Sequence, residues 1–272
     1  MTIKLLENPK DEYVIVFANT GDEREETLEF VDSVERHIGQ RIYWVEADLE
    51  NNKITPKLVD FTSASRNGEP FEKVISKFGI PNAGVPHCSR ELKRNVIRRF
   101  AKSIGLKKYY TAIGIRIDEP KRLNWDQAKK ERIIYPLATE YPTIKADINK
   151  FWQQMPFRLN LKSYEGNCKT CWKKSLRKLM TIALEHPEHF EFFRRMEKKY
   201  EMYVPENRLH NENIKPPLRF FRDNMTVEDI FEEARFNFDK AIDESNNTII
   251  QPSLWDLYMD SNSGCVESCE VF

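Results

Sequence analysis

The stretch YVIVFANTGDEREETLEFV, residues 13–31, decides the fold of the first half of the chain. It begins with a continuous apolar run over 13–18, which is typical of a strand buried on both faces of a parallel sheet. Apolar residues then recur at helical spacing over 24–38, and Gly39 ends that segment. Residues 41–47, RIYWVEA, have the pattern of the next strand. Strand, helix and strand together predict a βαβ unit.

Later segments continue this alternation. Residues 93–104 form a basic amphipathic pattern that Gly105 closes, and 109–115 and 133–135 have the pattern of strands. The order predicts an α/β fold with a doubly wound, mainly parallel sheet. In that class, ligands bind outside the carboxyl ends of the strands.

Composition limits the function classes. The chain has 272 residues, of which 43 are basic and 43 acidic. This balance argues against a general nucleic-acid coat or a membrane-surface protein, although a local phosphate pocket remains compatible with it. No stretch approaches the length of a membrane span, so we expect no membrane contact. Thiols in a CxxC without a secretion signal predict a cytoplasmic location.

Two polar loops follow strands of the predicted sheet, at 19–27 and 114–122. The first turns on glycine and enters a helix, which leaves backbone N–H groups facing the ligand crevice. The second carries arginines that can grip phosphate and carboxylates that can bind ribose or a metal. Each loop alone is equally compatible with an ordinary solvated turn; together they predict a nucleotide pocket. The predicted nucleotide-contacting residues are Asn19, Thr20, Gly21, Glu26, Thr27, Lys93, Arg116, Asp118 and Arg122.

Two distant pairs, His87-Cys88 and Cys168-x-x-Cys171, supply three thiols and an imidazole. These are ligands for a structural zinc or an iron–sulfur cluster. Nearby lysines and arginines favour thiolate over thiol, as metal binding requires. The alternative is that Cys88 is a core residue and the CxxC is accidental, since CxxC alone is a weak signal.

Four motifs in order carry a resemblance to a known family: FANTGDEREETLEFV (17–31), PHCSRELKRNV (86–96), YYTAIGIRIDEPKRL (109–123) and GNCKTCWKKS (166–175). They resemble the phosphoadenosine phosphosulfate (PAPS) reductase family of the PP-loop adenine-nucleotide α-hydrolase fold, including phage- and bacteria-encoded members. The resemblance covers roughly residues 1–180.

The resemblance implies a [4Fe-4S] cluster bound by Cys88, Cys168 and Cys171, with His87, a substrate thiol or an added sulfur in the fourth position; Zn²⁺ is the alternative metal. It also implies adenine-nucleotide-dependent sulfur chemistry, of the PAPS reductase or sulfurtransferase type, with ATP or PAPS as the nucleotide and a thioredoxin-like reductant as partner. Two competing functions remain open. One is an adenylating sulfurtransferase that modifies a nucleic-acid substrate, and the other is a non-catalytic nucleotide-binding remnant.

Two departures from the family pattern affect these expectations. The chain lacks the opening strand and SGGxxS phosphate loop, so we expect weak ATP binding and an open edge on the first strand that favours a homodimer. The family's catalytic tail cysteine is replaced by Cys265 and Cys269, which are weak candidates for a catalytic thiol pair in a mobile tail. The alternative is that these two cysteines have no role.

The second part of the chain changes character. The predicted division is an α/β domain over 1–178 and a helical extension with a flexible tail over 179–272. Phenylalanines at helical spacing there are interpreted as core, and Thr226 as a helix N-cap. His186 and His189 are interpreted as surface residues, because Pro187 between them interrupts the regular helical spacing that would align their side chains.

Overall fold

The chain folds as a mixed α/β protein. The computed structural model describes residues 1–7, 9–209, 214–236 and 238–243. The helices of this part are α1 (Thr2–Glu7), α2 (Glu25–Ile38), α3 (Glu69–Phe78), α4 (Asn95–Ser103), α5 (Trp125–Glu131), α6 (Lys145–Gln153), α7 (Leu176–Glu185), α8 (Glu191–Tyr200) and α9 (Val227–Arg235). The strands are β1 (Ile15–Asn19), β2 (Ile42–Glu50), β3 (Lys53–Val59), β4 (Thr111–Ala112) and β5 (Ile133–Ile134).

The predicted βαβ unit is confirmed. Strands β1 and β2 pair in parallel, with Asn19 opposite Glu46 at their carboxyl ends. Helix α2 connects them and buries Leu28 and Val31 against the sheet. It ends at Gly39, whose left-handed φ of 61° lets its N–H reach the carbonyl of Glu35.

The described strands form two small sheets, one mixed and one parallel. Strand β3 runs antiparallel to β2, and β4 pairs in parallel with β5 in a sheet of its own. The hairpin between β2 and β3 turns at Asn51 and Asn52, which both have positive φ, a conformation that asparagine tolerates well. Strand β1 lies at the edge of its sheet as far as the described residues show.

The strand predicted over 109–115 is wrong in length, because only Thr111–Ala112 pairs as a strand. Tyr110 beside it is 70% exposed, so the apolar residues of this segment do not all face a sheet interior. The polar loop after β4 and the polar loop after β1 therefore follow strands of two different sheets.

One hydrophobic cluster joins the α/β part to the helices that follow residue 178. Phe71 of α3 packs on Phe192 and Phe193 of α8, and Phe193 packs on Phe220 with ring centroids 4.5 Å apart. These buried rings confirm the predicted core role for Phe190, Phe192, Phe193, Phe220 and Phe221, whereas the same prediction for Phe236 is wrong, because its side chain is 71% exposed. The division at 178 stays a prediction.

Helix N-caps in the second part follow the sequence. The hydroxyl of Ser175 accepts a hydrogen bond from the Lys178 N–H at the start of α7. Thr226 caps α9 as predicted, in a reciprocal capping box with Asp229. None of the helices in the described ranges has the length and apolar character that crossing a membrane requires.

Candidate functional site

The loop at residues 19–24 leaves the carboxyl end of β1 and is held by a buried carboxylate of the neighbouring strand. The Asn19 Nδ2 group donates to Glu46 Oε1 at 2.6 Å and to the Ser65 carbonyl at 2.9 Å. Ser65 donates to the same carboxylate from its N–H and its hydroxyl. Asn19 Oδ1 accepts the Gly21 N–H at 3.1 Å. Asn19 therefore shapes the loop rather than pointing freely into a pocket.

A second buried carboxylate closes the loop on itself. Glu23 Oε2 accepts from the Thr20 N–H at 2.8 Å and from the Thr20 hydroxyl at 2.5 Å. Its other oxygen lies 3.5 Å from Lys93 Nζ. Lys93 comes from the π-helical turn Ser89–Arg94, which directly follows Cys88. Glu23 thus joins the predicted nucleotide loop to the segment that carries the first thiol.

The CxxC loop, residues 166–171, docks on the 19–24 loop through the backbone. The Arg24 N–H donates to the Asn167 carbonyl at 3.0 Å, and the Lys169 N–H donates to the Asp22 carbonyl at 3.0 Å. Between these bonds, Glu23 and Cys168 form an isolated antiparallel bridge. The structure therefore brings together two motifs that are far apart in sequence.

The Cys168 thiol lies in a mixed electrostatic environment. Burial raises its pKa well above the usual range, and Asp22 and Glu23 add to this effect. Lys93 and Lys174 act in the opposite direction. Lys174 Nζ also donates to the Cys168 carbonyl at 3.0 Å, which fixes the turn of the CxxC. In the absence of a further cation, this thiol is protonated at neutral pH.

Several buried polar atoms around the two loops have no protein partner. They are Asp22 Oδ2, Arg24 Nε and Nη2, Thr27 Oγ1 and Asn167 Oδ1. Buried polar groups in folded proteins are normally hydrogen-bonded, so a concentration of unpaired ones indicates a place for a ligand or water. Burial raises the pKa of the Asp22 carboxyl to about 8, so Asp22 is mostly protonated at neutral pH.

The remaining predicted residues of this loop differ in exposure. Gly21 is buried and has a φ of 80°, and its carbonyl accepts the Gly68 N–H at 2.8 Å. Thr27 is fully buried, whereas Glu26 is exposed. The Arg24 guanidinium forms a buried ion pair with Glu165 at 3.1 Å. Arg24, Glu46 and Glu165 were not predicted from the sequence; a charged residue inside an apolar strand was the available signal for Glu46.

The loop that follows β4 is a compact ion-pair cluster. The Arg116 guanidinium contacts Asp118 at 2.9 Å and Glu119 at 3.7 Å, and Glu119 also pairs with Arg122. The Lys145 N–H donates to Asp118 at 3.0 Å. Among the described residues β4 pairs only with β5, so this loop and the 19–27 loop follow strands of two separate sheets there.

His87 is buried between Phe78 and Arg208. Arg208 Nη2 lies 2.6 Å from His87 Nδ1, and the Val85 carbonyl lies 3.1 Å from the same nitrogen. Burial and the Arg208 charge lower the pKa of His87 to about 4, so the ring is neutral. Its Nε2 atom is buried without a protein partner.

The predicted metal ligands have suitable donor types, but their spacing does not suit a single ion. Cys88, Cys168 and Cys171 form no disulfide and are partly buried, and the neutral His87 ring adds a nitrogen donor, so the donor types suit a soft metal. A single zinc ion requires all its ligand atoms close together. No three of these four side chains lie within 4.8 Å of one another in the described part of the chain. An iron–sulfur cluster tolerates wider spacing, because each thiolate binds a different iron. Cys265 and Cys269 lie outside the described residues.

A group of potential metal ligands that does meet the 4.8 Å limit is His186, Glu188 and His189. The prediction that Pro187 prevents the His186 and His189 side chains from aligning is wrong. Pro187–Phe190 is a 3₁₀ turn, in which residues three apart lie above one another. The two imidazoles stack with centroids 4.8 Å apart. The two histidines of HPEH are three residues apart, and this is the spacing that a 3₁₀ turn aligns.

A surface cavity of about 390 Å³ lies apart from these residues. It is lined by Lys53, Ile54, Thr55, Pro56, Lys77, Phe78 and Arg99. None of its lining residues belongs to the predicted site. Its three cations make it a competing location for an anion.

Comparison with known proteins gives little functional information. The chain is similar to a protein of Escherichia phage lambda described as an uncharacterized nin region protein, ORF290. The two are 27% identical over 267 residues, which cover 94% of this chain and 84% of the phage protein. No protein-family model matches the chain. No solved structure matches it either.

Proposed function

We propose that the chain binds an adenine nucleotide beside the 19–24 loop and carries out sulfur transfer or reduction on an adenylated intermediate there. The observation that supports this is the pairing of Glu23 with Cys168. It places a thiol against the loop that leaves the carboxyl end of a parallel strand, where ligands of α/β proteins bind. A nucleotide and a reactive sulfur centre must meet at one place for such chemistry.

We further propose that the strands belong to a doubly wound arrangement of the PP-loop type. The two parallel pairs, β1 with β2 and β4 with β5, support this. Each of β1 and β4 is followed by a polar loop, as the resemblance to PAPS reductases implies.

The unpaired buried atoms give the ligand its contacts. Thr27 Oγ1 and Arg24 Nη2 are donors without a protein acceptor, and Asn167 Oδ1 is an acceptor without a donor. A nucleotide presents phosphate and hydroxyl oxygens to the first two and an amino or hydroxyl group to the third. Asp22, mostly protonated at neutral pH, can hold a proton for a leaving or attacking group near Cys168.

The thiols would hold the sulfur centre. Cys88, Cys168 and Cys171 are the residues that would bind a [4Fe-4S] cluster, with the unpartnered His87 Nε2 as the candidate nitrogen donor. When bound, such a cluster supplies iron-bound sulfur or an electron. Lys93, which lies 3.5 Å from Glu23 and lowers the pKa of the Cys168 thiol, reduces the cost of a negative charge on either group.

The test is nucleotide binding by the full chain, measured by isothermal titration with ATP and with PAPS. The site variant is Thr27→Val, which removes a buried hydroxyl that has no protein partner and keeps the side-chain shape. Loss of one neutral hydrogen bond to the ligand weakens binding roughly twofold to tenfold. The matched control is Thr55→Val in β3, because the Thr55 hydroxyl is also buried and unpartnered but lines the surface cavity instead.

The outcomes separate the hypotheses. Weaker binding in Thr27→Val with unchanged binding in Thr55→Val supports the proposed pocket. Weaker binding in Thr55→Val alone would place the nucleotide in the surface cavity and overturn the proposal. Repeating the titration with RNA and DNA present tests the nucleic-acid-modifying alternative, which requires that nucleic acid change the affinity for ATP.

A further inference from the structure

The segment His186–His189 forms a compact arrangement of nitrogen and oxygen donors outside the thiol site. The 3₁₀ turn Pro187–Phe190 places the side chains of residues 186 and 189 on one side, with Glu188 beside them. Glu188 Oε1 lies 3.4 Å from His186 Nδ1 and 3.6 Å from His189 Nε2. All three donor atoms lie within 4.8 Å of one another.

These distances match the spacing around a single ion. In a tetrahedral site with bonds of about 2.1 Å, neighbouring ligand atoms are about 3.4 Å apart. We propose that His186, Glu188 and His189 bind a divalent transition-metal ion of the zinc type, with water in the remaining positions. Two imidazoles and a carboxylate are a donor set that such ions accept. This inference does not depend on the proposed nucleotide chemistry.

Neighbouring residues support the ligands. Glu165 Oε1 lies 3.5 Å from His186 Nε2, on the other side of that ring from Glu188. A carboxylate that accepts from the second nitrogen of a metal-binding histidine orients the ring and strengthens it as a ligand. Glu165 is itself held by the buried Arg24 at 3.1 Å. The turn is further fixed by Thr170, whose hydroxyl donates to the His189 carbonyl at 3.4 Å.

The charges around the site act in both directions. Glu188 and Glu165 attract a cation, whereas Arg24 and Lys169 lie near the His189 ring and oppose one. Arg24 is already paired with Glu165, which reduces its opposition. The negative charge of the two carboxylates therefore favours a divalent ion at this site.

Binding requires one local movement. The two rings are nearly parallel, with an angle of 20° between their planes. A bound ion must lie in the plane of each imidazole, so one ring has to rotate about its Cβ–Cγ bond. His186 can do so because its side chain is 35% exposed, and the side chain of Glu188, which is 66% exposed, can follow.

Cobalt titration of metal-free full-length protein tests the proposal. Co²⁺ reports its ligands, because thiolate ligation adds strong near-ultraviolet charge-transfer bands and nitrogen–oxygen ligation gives only weaker visible bands. The titration is carried out on a variant in which all five cysteines, Cys88, Cys168, Cys171, Cys265 and Cys269, are replaced by serine. The site variant Glu188→Gln is compared with Glu191→Gln, a control in the next helix whose side chain is 59% exposed.

We expect one Co²⁺ per chain with visible bands and no thiolate bands in the serine background. Glu188→Gln should weaken binding by at least about tenfold, and Glu191→Gln should not change it. If the serine background does not fold, the comparison of Glu188→Gln with Glu191→Gln is made on the visible bands of the otherwise unchanged chain. Equal affinities in those two variants, or no visible bands in a folded serine background, would overturn the metal site.

Discussion

Glu23 and Cys168 pair backbone to backbone, and this bridge joins the loop after β1 to the CxxC loop. The bridge is flanked by the bond from the Arg24 N–H to the Asn167 carbonyl. Arg24 also carries its side chain inward to Glu165, which lies two residues before Asn167. The junction of the two loops therefore depends on both backbone pairing and one buried ion pair.

The first prediction concerns that ion pair. The Arg24 and Glu165 side chains are 2% and 6% exposed. Removing one partner of such a pair leaves a buried charge uncompensated, which costs about 3–5 kcal/mol. Glu165→Gln should therefore lower the free energy of unfolding by an amount in this range, measured by urea denaturation.

The control is the surface pair of Asp32 and Arg36, in which the arginine side chain is 73% exposed. Asp32→Asn should cost less than about 1 kcal/mol, because exposed ion pairs contribute little. The double replacement Arg24→Met with Glu165→Leu should recover part of the loss, since no buried charge then remains. Equal effects of Glu165→Gln and Asp32→Asn would contradict the buried position of the pair.

The second prediction concerns the close approach of Gly68 and Phe192. Gly68 has a φ of 82°, and a Cβ atom there would lie 2.2 Å from the Phe192 ring. Gly68→Ala destabilises the folded state in two ways. An alanine in the left-handed conformation costs about 1–2 kcal/mol, and overpacking against the Phe192 ring costs about 1–3 kcal/mol. The variant should lose about 2–5 kcal/mol of stability in thermal or urea unfolding.

Gly105 is the matched control for Gly68. It also has a positive φ, 86°, but a Cβ atom there meets nothing within 4 Å. Gly105→Ala should therefore show the backbone cost alone. If the two alanine variants unfold at the same urea concentration, the contact between α8 and the Gly68 turn is not as close as described.

The parts of the fold that the sequence predicts are those with strong local patterns. Strand β1 has an unbroken apolar run and α2 has a clear helical period, so both were predictable. Strand β3 was missed because Pro56 and two lysines obscure its alternation, although Asn51-Asn52 signals a hairpin. Which strands share a sheet depends on long-range pairing, and no local pattern reports that β4 pairs with β5 in a sheet separate from that of β1.

The candidate site shows the same division. Two sequence features indicated the right segments, namely the loop with Gly21 after the first strand and the CxxC spacing. The structure brings these segments together at Glu23 and Cys168. Glu46 and Glu165 were not predictable, because their importance comes from partners that are distant in sequence. The alignment of His186 and His189 does not follow from an α-helical spacing, because residues 187–190 form a 3₁₀ turn.

The third prediction tests whether the loop after β4 contributes to the nucleotide site. Replacing Arg116 by alanine should weaken nucleotide binding by about 1.5–3 kcal/mol, the usual contribution of a hydrogen bond to a charged group. Isothermal titration with ATP and PAPS measures this change. Lys121→Ala is the control, because Lys121 is an exposed cation of the same loop. Equal dissociation constants for the two variants would remove Arg116 from the pocket.

The last prediction concerns pH and the helical extension. Burial raises the pKa of Glu197 to about 7, although one of its oxygens accepts the Val227 N–H at 3.0 Å, which acts in the opposite direction. The ordinary pKa of this carboxyl is 4.5. Because its pKa is higher in the folded protein, the carboxyl binds its proton more tightly in the folded state than in the unfolded state. Its contribution to stability is complete below pH 4.5 and is lost as the pH rises through 7.

Glu197→Gln removes this titration and keeps the side-chain shape. The variant should be more stable than the natural chain at pH 8 by roughly 2–4 kcal/mol, since the pKa rises from 4.5 to about 7 and each unit corresponds to about 1.4 kcal/mol. The difference should disappear near pH 4.5. Urea midpoints between pH 4.5 and pH 8 measure it, with Glu232→Gln on the exposed side of α9 as control. Asp22 also has a raised pKa, but it is present in both chains and cancels in the difference. Curves for Glu197→Gln and the natural chain that stay parallel over this range would show that Glu197 is not buried as a neutral acid.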